Sequence, residues 1–437
     1  MIKQPYLIFR IMTILLIVSF LGLSAKPSAK PLKQYNITTF GAVGDGITLN
    51  TKSIQSAIDK CSSEGGGAVI VPKGTFISGA IFLKKGTNLL IEKEGVLKGS
   101  TKQADYPQIQ TRWEGIERIW TSAFINAEGL SNIEISGEGT IDGSGAEWPK
   151  IIRQNPQQMT QAARDSMSKT PRLGRPRLIC MNKCTKVHIA NVNLLNQAVW
   201  CIHILYCKDV KIENVNIKAD HTILSSDGMD IDSSNGVLIT GCSIDVNDDC
   251  ISIKSGKDED GVRVNKPSEH IIVEKCHFGY GHGGVAMGSE TSGGIHDVMI
   301  RNCTVDAGNW APMRFKTQPG RTNVVENIIF RDIEIKDASM AFEFNMEWRM
   351  VAPFAPPSKV PPIFRNIHFI NITGTAKSVG VMHGLLNSPI KNVTFKNCKI
   401  SAQTGFKIDN AENIDLSGLT IEVKEGPAII RKETPKI

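Results

Sequence analysis

Runs of clustered lysine and arginine are missing from this 437-residue chain, and with them the electrostatic footprint of a nucleic-acid binder. Aromatic residues are scarce, at 6%, and no apolar run reaches the roughly 20 residues that a membrane-spanning helix requires. The longest, Ile11 to Leu23, follows Lys3 and Arg10 and precedes the small residues Ser24 and Ala25. That order is a basic segment, a short apolar segment and a cleavage site. Residues 1–25 are therefore expected to be a signal peptide, and residues 26–437 one secreted or periplasmic domain with no membrane association after cleavage. No cysteine follows the run closely, which argues against a lipid anchor. Without Lys3 and Arg10 the net charge of +7 falls to about +5, a balance that suits an acidic polymer without demanding one.

Leucine-dominated phrases and long hairpin strands are absent too, which excludes leucine-rich repeats and propeller blades. What recurs is a phrase reading apolar, any, Asn or small, Val/Cys/Ile, any, apolar. It appears as Ile189 to Leu194, Ile212 to Ile217, Ile239 to Ile244, Val273 to Phe278, Ile300 to Val305, Phe330 to Ile335, Phe395 to Ile400 and Leu416 to Ile421. Partial copies begin at Ile133 and Phe369. Short strands bounded by Asn or Gly turns, at a period of roughly 21 to 39 residues, read as coils of an all-β, right-handed parallel β-helix. Such a stack escapes the size limit of a single globular core, because each coil buries its face on the next.

Coils stack about 4.8 Å apart, so equivalent positions form ladders. Val192, Val215, Cys242, Cys276, Cys303, Ile333, Cys398 and Leu419 share one inward position. The four cysteines among them are expected to be free buried thiols, behaving as small hydrophobes. The pairing of Cys180, Cys184, Cys201 and Cys207 stays open. Asn191, Asn214, Asn302, Asn371 and Asn397 precede that position and should bond amide to amide from coil to coil. Thr51 to Ser62 has helical spacing, with Ile54, Ala57, Ile58 and Cys61 on one face and glycines 65–67 behind it. It should cap the open end of the stack. Residues 148–177, 254–269 and 338–362 read as long loops lining a cleft.

Polar residues gather where strands leave this ladder. Asp248 lies six residues after Cys242, and His282 six after Cys276, so the two should be neighbours on adjacent coils. Asp227 should stack on the other side, with Asp249 beside Asp248. Three carboxylates so close cannot all ionise freely, and at least one should hold its proton near neutral pH. A protonated acid facing ionised carboxylates is what glycoside hydrolysis uses. Arg314 and Lys316, two apart on a strand, share a face and suit a substrate carboxylate. Taken singly, the Asp pair is a solvated turn, His282 a turn cap and the two cations an exposed face. Their common register is what favours a site.

At these residues the chain resembles glycoside hydrolase family 28, the polygalacturonases and their relatives. That family's four motifs, Asn-Thr-Asp, Gly-Asp-Asp, Gly-His-Gly and Arg-Ile-Lys, correspond in order to residues 225–227, 247–249, 281–283 and 314–316. The likeness extends to residues 40–46, 139–143 and 200–203. It implies an inverting hydrolysis of α-1,4-galacturonosyl bonds in pectin, without cofactor or metal. Asp248 would be the general acid, Asp227 and Asp249 the bases that activate water, and His282 their tuning partner. Arg314 and Lys316 would bind the galacturonate carboxylate. Residues 283–294 look like bacterial members that act from chain ends, so an exo mode is expected. Ser225 and Ser226 stand in place of Asn and Thr, and Asn247 in place of Gly, which touches linkage specificity more than reaction type.

Other readings stay open on sequence alone. A lyase would share the fold, use the aspartates for Ca²⁺ and give an ultraviolet-absorbing product. A non-enzymatic surface-binding β-helix would carry the repeats without a convergent polar register. Among hydrolases, rhamnogalacturonan is an alternative backbone. A capped β-helix is expected to be a monomer.

Overall fold

The structure, a computed structural model, describes residues 32–148, 174–348 and 359–432. The expected signal peptide and much of two expected loops lie outside these residues. The described residues from Lys33 onward form one compact unit.

Each coil is made of short strands whose alternation sets what faces the core. In Lys208–Glu213 only Val210 and Ile212 turn inward. That coil comprises Ile202–Leu205, Lys208–Glu213 and Asn216–Lys218. The next comprises Met229–Asp232, Asn235–Thr240 and Ser243–Asp245. They pair in parallel, Ile202 beside Met229, Lys208 beside Asn235 and Asn216 beside Ser243. The expected parallel β-helix is therefore present, with the right-handed winding that parallel crossovers favour. Phe330, Phe369 and Phe395 stack in register inside it, with ring centroids 5.6 and 4.9 Å apart.

The cysteine ladder also forms. Cys303 pairs with Ile333 and Cys398 with Leu419. All ten cysteines are buried and free, including the four whose pairing was open. The capping helix runs Thr51–Ser63 and buries Ile54, Ala57, Ile58 and Cys61 as expected.

The asparagine ladder has a second cause beyond its amide bonds. Asn191, Asn214, Asn302, Asn371 and Asn397 all lie at φ between 52° and 61°. This left-handed conformation costs an ordinary L-residue roughly 1–2 kcal/mol, and Asn tolerates it best after Gly. Gly241 takes the equivalent turn at φ 66°. The amides still bond along the stack, Asn214 Nδ2 to Asn191 Oδ1 at 3.3 Å and Asn397 Nδ2 to Asn371 Oδ1 at 2.8 Å.

Two expected loops need correction. Within 338–362, residues Ala338 to Asn345 continue the strand Val324–Asn345. Phe342 and Phe344 are buried there and Glu343 sits between them, the alternation of a strand. Within 254–269, Lys254 closes the strand Asp249–Lys254, a short helix spans Asp258–Val264, and Ser268–Glu274 begins the next strand. The antiparallel hairpin of Gln108–Trp113 and Ile116–Thr121 was not foreseen either. Among the described residues, no helix is long and apolar enough to cross a membrane.

Replacing Asn214 by Ala should destabilise the protein by about 1–2 kcal/mol in denaturant unfolding, because Ala resists the left-handed turn and loses the amide bond. Asn214→Gly should cost clearly less. Equal losses would mean that the side-chain bond alone matters.

Candidate active site

The coils align one outward column of side chains: His203, Asp230, Ser252, Ala286, Arg314 and Glu343, each in register with the next. An outward column is normally solvated, yet all of these are buried. The hairpin contributes to the cover. Its Trp113 stacks on Trp120 at 5.3 Å and leans on Trp200 at 4.6 Å. Buried Arg112 anchors it by donating to Asp232 Oδ1 at 2.7 Å and to Ser233 Oγ at 2.8 Å.

Beside this column the expected residues converge. Asp227 precedes the strand Met229–Asp232, and Asp248 and Asp249 stand at the start of Asp249–Lys254. His282 lies in Gly281–Met287, while Arg314 and Lys316 end Asn309–Lys316. Oxygens of Asp227, Asp248 and Asp249 lie within 4.8 Å of one another. His282 Nδ1 is 3.2 Å from Asp248 Oδ1, and its backbone N–H donates to the Asp248 carbonyl at 3.0 Å. The neighbour relation drawn from equal offsets therefore holds. The serine that replaces a family threonine has a task here: Ser226 Oγ accepts the backbone N–H of Asn247 at 3.1 Å and so fixes the turn before Asp248.

The cations face Asp249. Lys316 Nζ donates to its Oδ2 at 2.5 Å, and Arg314 NH1 to its Oδ1 at 3.3 Å. Arg314 Nε also donates to Glu343 Oε2 at 2.6 Å, and both cations lie over the Trp348 ring, at 4.7 and 5.5 Å. These pairs set both cations against Asp249 and Glu343.

The carboxyls divide by environment. Burial first, then Asp230, Asp248 and Asp249, push Asp227 well above the ordinary carboxylate range, against the pull of Lys254. Burial also raises Asp248, but the hydrogen bond and charge of His282, helped by Lys316 and Arg314, outweigh it and hold Asp248 below that range. The expected protonated carboxyl is therefore Asp227 in the unliganded protein. Asp248 is the most open of the three, with 21% of its side chain exposed against 5% and 1% for Asp227 and Asp249.

Three oxygens so close would suit a metal by distance alone. Their surroundings do not: Lys316, Arg314 and Lys254 already point at these carboxylates. A Ca²⁺ cage supplies six to eight oxygens and needs no cations in its shell.

Among the buried charged groups not found from sequence, Asp230, Lys254 and Glu290 form a second cluster beside the first. Lys254 Nζ lies 3.0 Å from Asp230 Oδ1, 3.4 Å from Glu290 Oε2 and 3.8 Å from Asp227 Oδ2. The usable signal was the alternation Met229, Asp230, Ile231, Asp232, which puts two aspartates on the outward face of a core strand.

A rigid stack presenting buried, unequal carboxyls beside an imidazole and two cations defines a carboxylate-based glycoside hydrolase. The chain belongs to glycosyl hydrolases family 28, whose family model matches residues 61–425. It is similar to a probable polygalacturonase of Vitis vinifera, 28% identical over 90% of this chain and 79% of that one. An exo-poly-alpha-D-galacturonosidase of Dickeya chrysanthemi is 26% identical over 89% and 75%. The crystal structure of a hyperthermoactive exopolygalacturonase from Thermotoga maritima superposes with a TM-score of 0.76, at 28% identity, covering 89% of this chain and 92% of that one. Plant and bacterial relatives are thus similarly close, and the bacterial chain-end subgroup is not singled out.

The network carries a pH signature. Burial, followed by Glu290 and Asp249, raises Asp230 to about 7 from an ordinary 3.8, although Lys254 opposes it. A raised folded-state value stabilises fully below the unfolded value, and that contribution is lost as pH rises through the folded one. The wild type should therefore lose thermal stability relative to Asp230→Asn between about pH 4 and pH 7. Parallel stability curves over that range would show that Asp230 is not protonated in the folded state.

Proposed function

We propose that this protein hydrolyses α-1,4-galacturonosyl bonds of pectin from chain ends, with inversion, after export through the segment around Ile11 to Leu23. The observation that carries the hydrolytic reading is three carboxyls within 4.8 Å, divided between an imidazole on one side and two cations on the other.

Asp248 is the acid in this proposal because it is the carboxyl that substrate can reach. His282, with 44% of its side chain exposed, connects it to solvent and can pass it a proton. That proton goes to the glycosidic O4 as the C1–O4 bond breaks. Water adds to C1 from the opposite face and gives its proton to Asp249 and Asp227. These two act as a pair sharing one proton, much as two close carboxyls do in other acid–base sites. Arg314 and Lys316 exchange part of their hold on Asp249 for the galacturonate carboxylate, and Trp348 offers an apolar face beside them. No metal or cofactor takes part, and the enzyme works as a monomer on an acidic plant polysaccharide.

Chain-end attack is supported by the aromatic wall beside Lys254 and Asp227, where the hairpin's Trp113 leans on Trp200. The names of the Dickeya and Thermotoga relatives point the same way.

The carboxyl oxygens are closer than the roughly 6.5–9.5 Å between carboxyl groups usual for inverting enzymes. Product stereochemistry is thus the sharpest test. Proton NMR during early turnover of polygalacturonate should show free galacturonate appearing as the β anomer. First appearance of the α anomer would mean retention, with Asp227 or Asp249 as nucleophile, and mixed oligomers would rule out chain-end attack. Asp248→Asn should lower kcat by about 10²–10⁴-fold with the fold intact. Arg314→Ala should weaken substrate binding by about tenfold to a hundredfold. Near wild-type turnover or unchanged affinity would remove each residue from its role.

A further inference from the structure

Lys254 is not among the residues that the hydrolytic mechanism uses, yet it is built into the same site. Its side chain is only 7% exposed and its ammonium lies between three carboxyls, those of Asp227, Asp230 and Glu290. It also sits 3.9 Å over the ring of Trp200, the residue on which the hairpin's Trp113 leans. A lysine kept for stability would be matched to one carboxylate with its hydrogen bonds complete, since burying charge without that match is costly. Here Asp230 Oδ1 meets the ammonium at 3.0 Å, while Oδ2 of Asp230 and Oε2 of Glu290 lack hydrogen-bond partners. One cation is shared among three acids.

The cluster is also held in place from outside. Ser255 N–H donates to the Glu290 carbonyl at 2.8 Å, and the hairpin closes on the acid at Gly115. A Cβ at Gly115 would come within 2.8 Å of Glu290 Cγ, and its φ of +77° adds backbone strain for any other residue. The hairpin tip can approach this closely only as glycine.

We propose that Lys254 is a positioning residue for hydrolysis, its ammonium setting how readily Asp227 releases its proton to join Asp249 as the water-activating pair. The inference rests on the role given to Asp227 above. The ammonium attracts the Asp227 anion, and Glu290 competes for the same ammonium. Asp227 itself faces Asp230, Asp248, Asp249 and Lys254. Behind these stand His282 on Asp248, and Lys316 and Arg314 on Asp249. Glu290 feels Arg321, Lys257 and Asp232 as well as Lys254, and Asp232 is itself paired with Arg112. The remaining group near Lys254 is His203, which burial drives down to about 4 and so leaves neutral above that pH.

Two substitutions separate this role from simple support of the fold, because they act in opposite directions. Lys254→Met removes the attracting charge, so the acid limb of the kcat profile should move up by about 1–2 pH units, with KM little changed. Glu290→Gln removes the competitor, so that limb should move down. Lys254→Arg should return the limb toward its wild-type position. A readout independent of turnover is the infrared carbonyl band of protonated Asp227, identified by its loss in Asp227→Asn. The pH at which that band disappears should follow the same order in the three variants. Folded variants whose band and limb both stay put, or move in the same direction, would overturn the proposal. An enzyme whose wild type leaves polygalacturonate untouched, but whose Asp227 band still moves in opposite directions, would instead refute the assigned reaction and keep the electrostatic link.

Discussion

Every functional contact in this molecule depends on one constraint: successive coils hydrogen-bond in parallel without slipping register. A slip of one residue would turn each strand's outward side chains into the core. The left-handed turns defend against that slip, because asparagine and glycine tolerate the conformation best and recur at equivalent turns from coil to coil. With the register fixed, residues more than 60 positions apart meet at bonding distance, as Asp249 and Lys316 do at 2.5 Å. The chemistry is thus assembled by stacking, and no single segment carries it.

The second constraint is burial of charge. The outward face at the site would be a solvated sheet surface in most β-helical coils, but here it is buried and the hairpin contributes to its cover. In that setting each carboxyl's proton affinity follows its partners. Asp248 is held down by His282, whereas Asp227 is driven up by burial and by three other acids. These resting preferences are the reverse of the proposed roles, so Asp248 must take up a proton and Asp227 release one before acid–base hydrolysis can begin. The arrangement opposes stability, since it crowds like charges in a region of low dielectric, and the rigid ladder beneath tolerates that strain.

Much of this was legible in the sequence. The phrase around Val192, Val215 and Cys242 gave the coil, and equal offsets from Cys242 and Cys276 placed Asp248 beside His282. Such inferences succeed because a stack turns sequence spacing into distance along one axis. Contacts made across the face of the stack were not legible. Asp230, Lys254 and Glu290 meet through strand alternation and a covering hairpin, and nothing in their spacing announces it. The strand from Ala338 to Asn345 looks like a loop in sequence because polar Glu343 and Asn345 interrupt its apolar pattern. They do so because they face the site.

The central claim, hydrolysis at this carboxyl cluster without a metal, is tested most directly by digesting polygalacturonate in the presence of a chelator. Reducing ends and ultraviolet absorbance would be followed together. The account predicts that reducing ends rise at an undiminished rate with no gain in absorbance. Growing absorbance would mean elimination, and activity lost to the chelator would mean that the aspartates hold a metal after all.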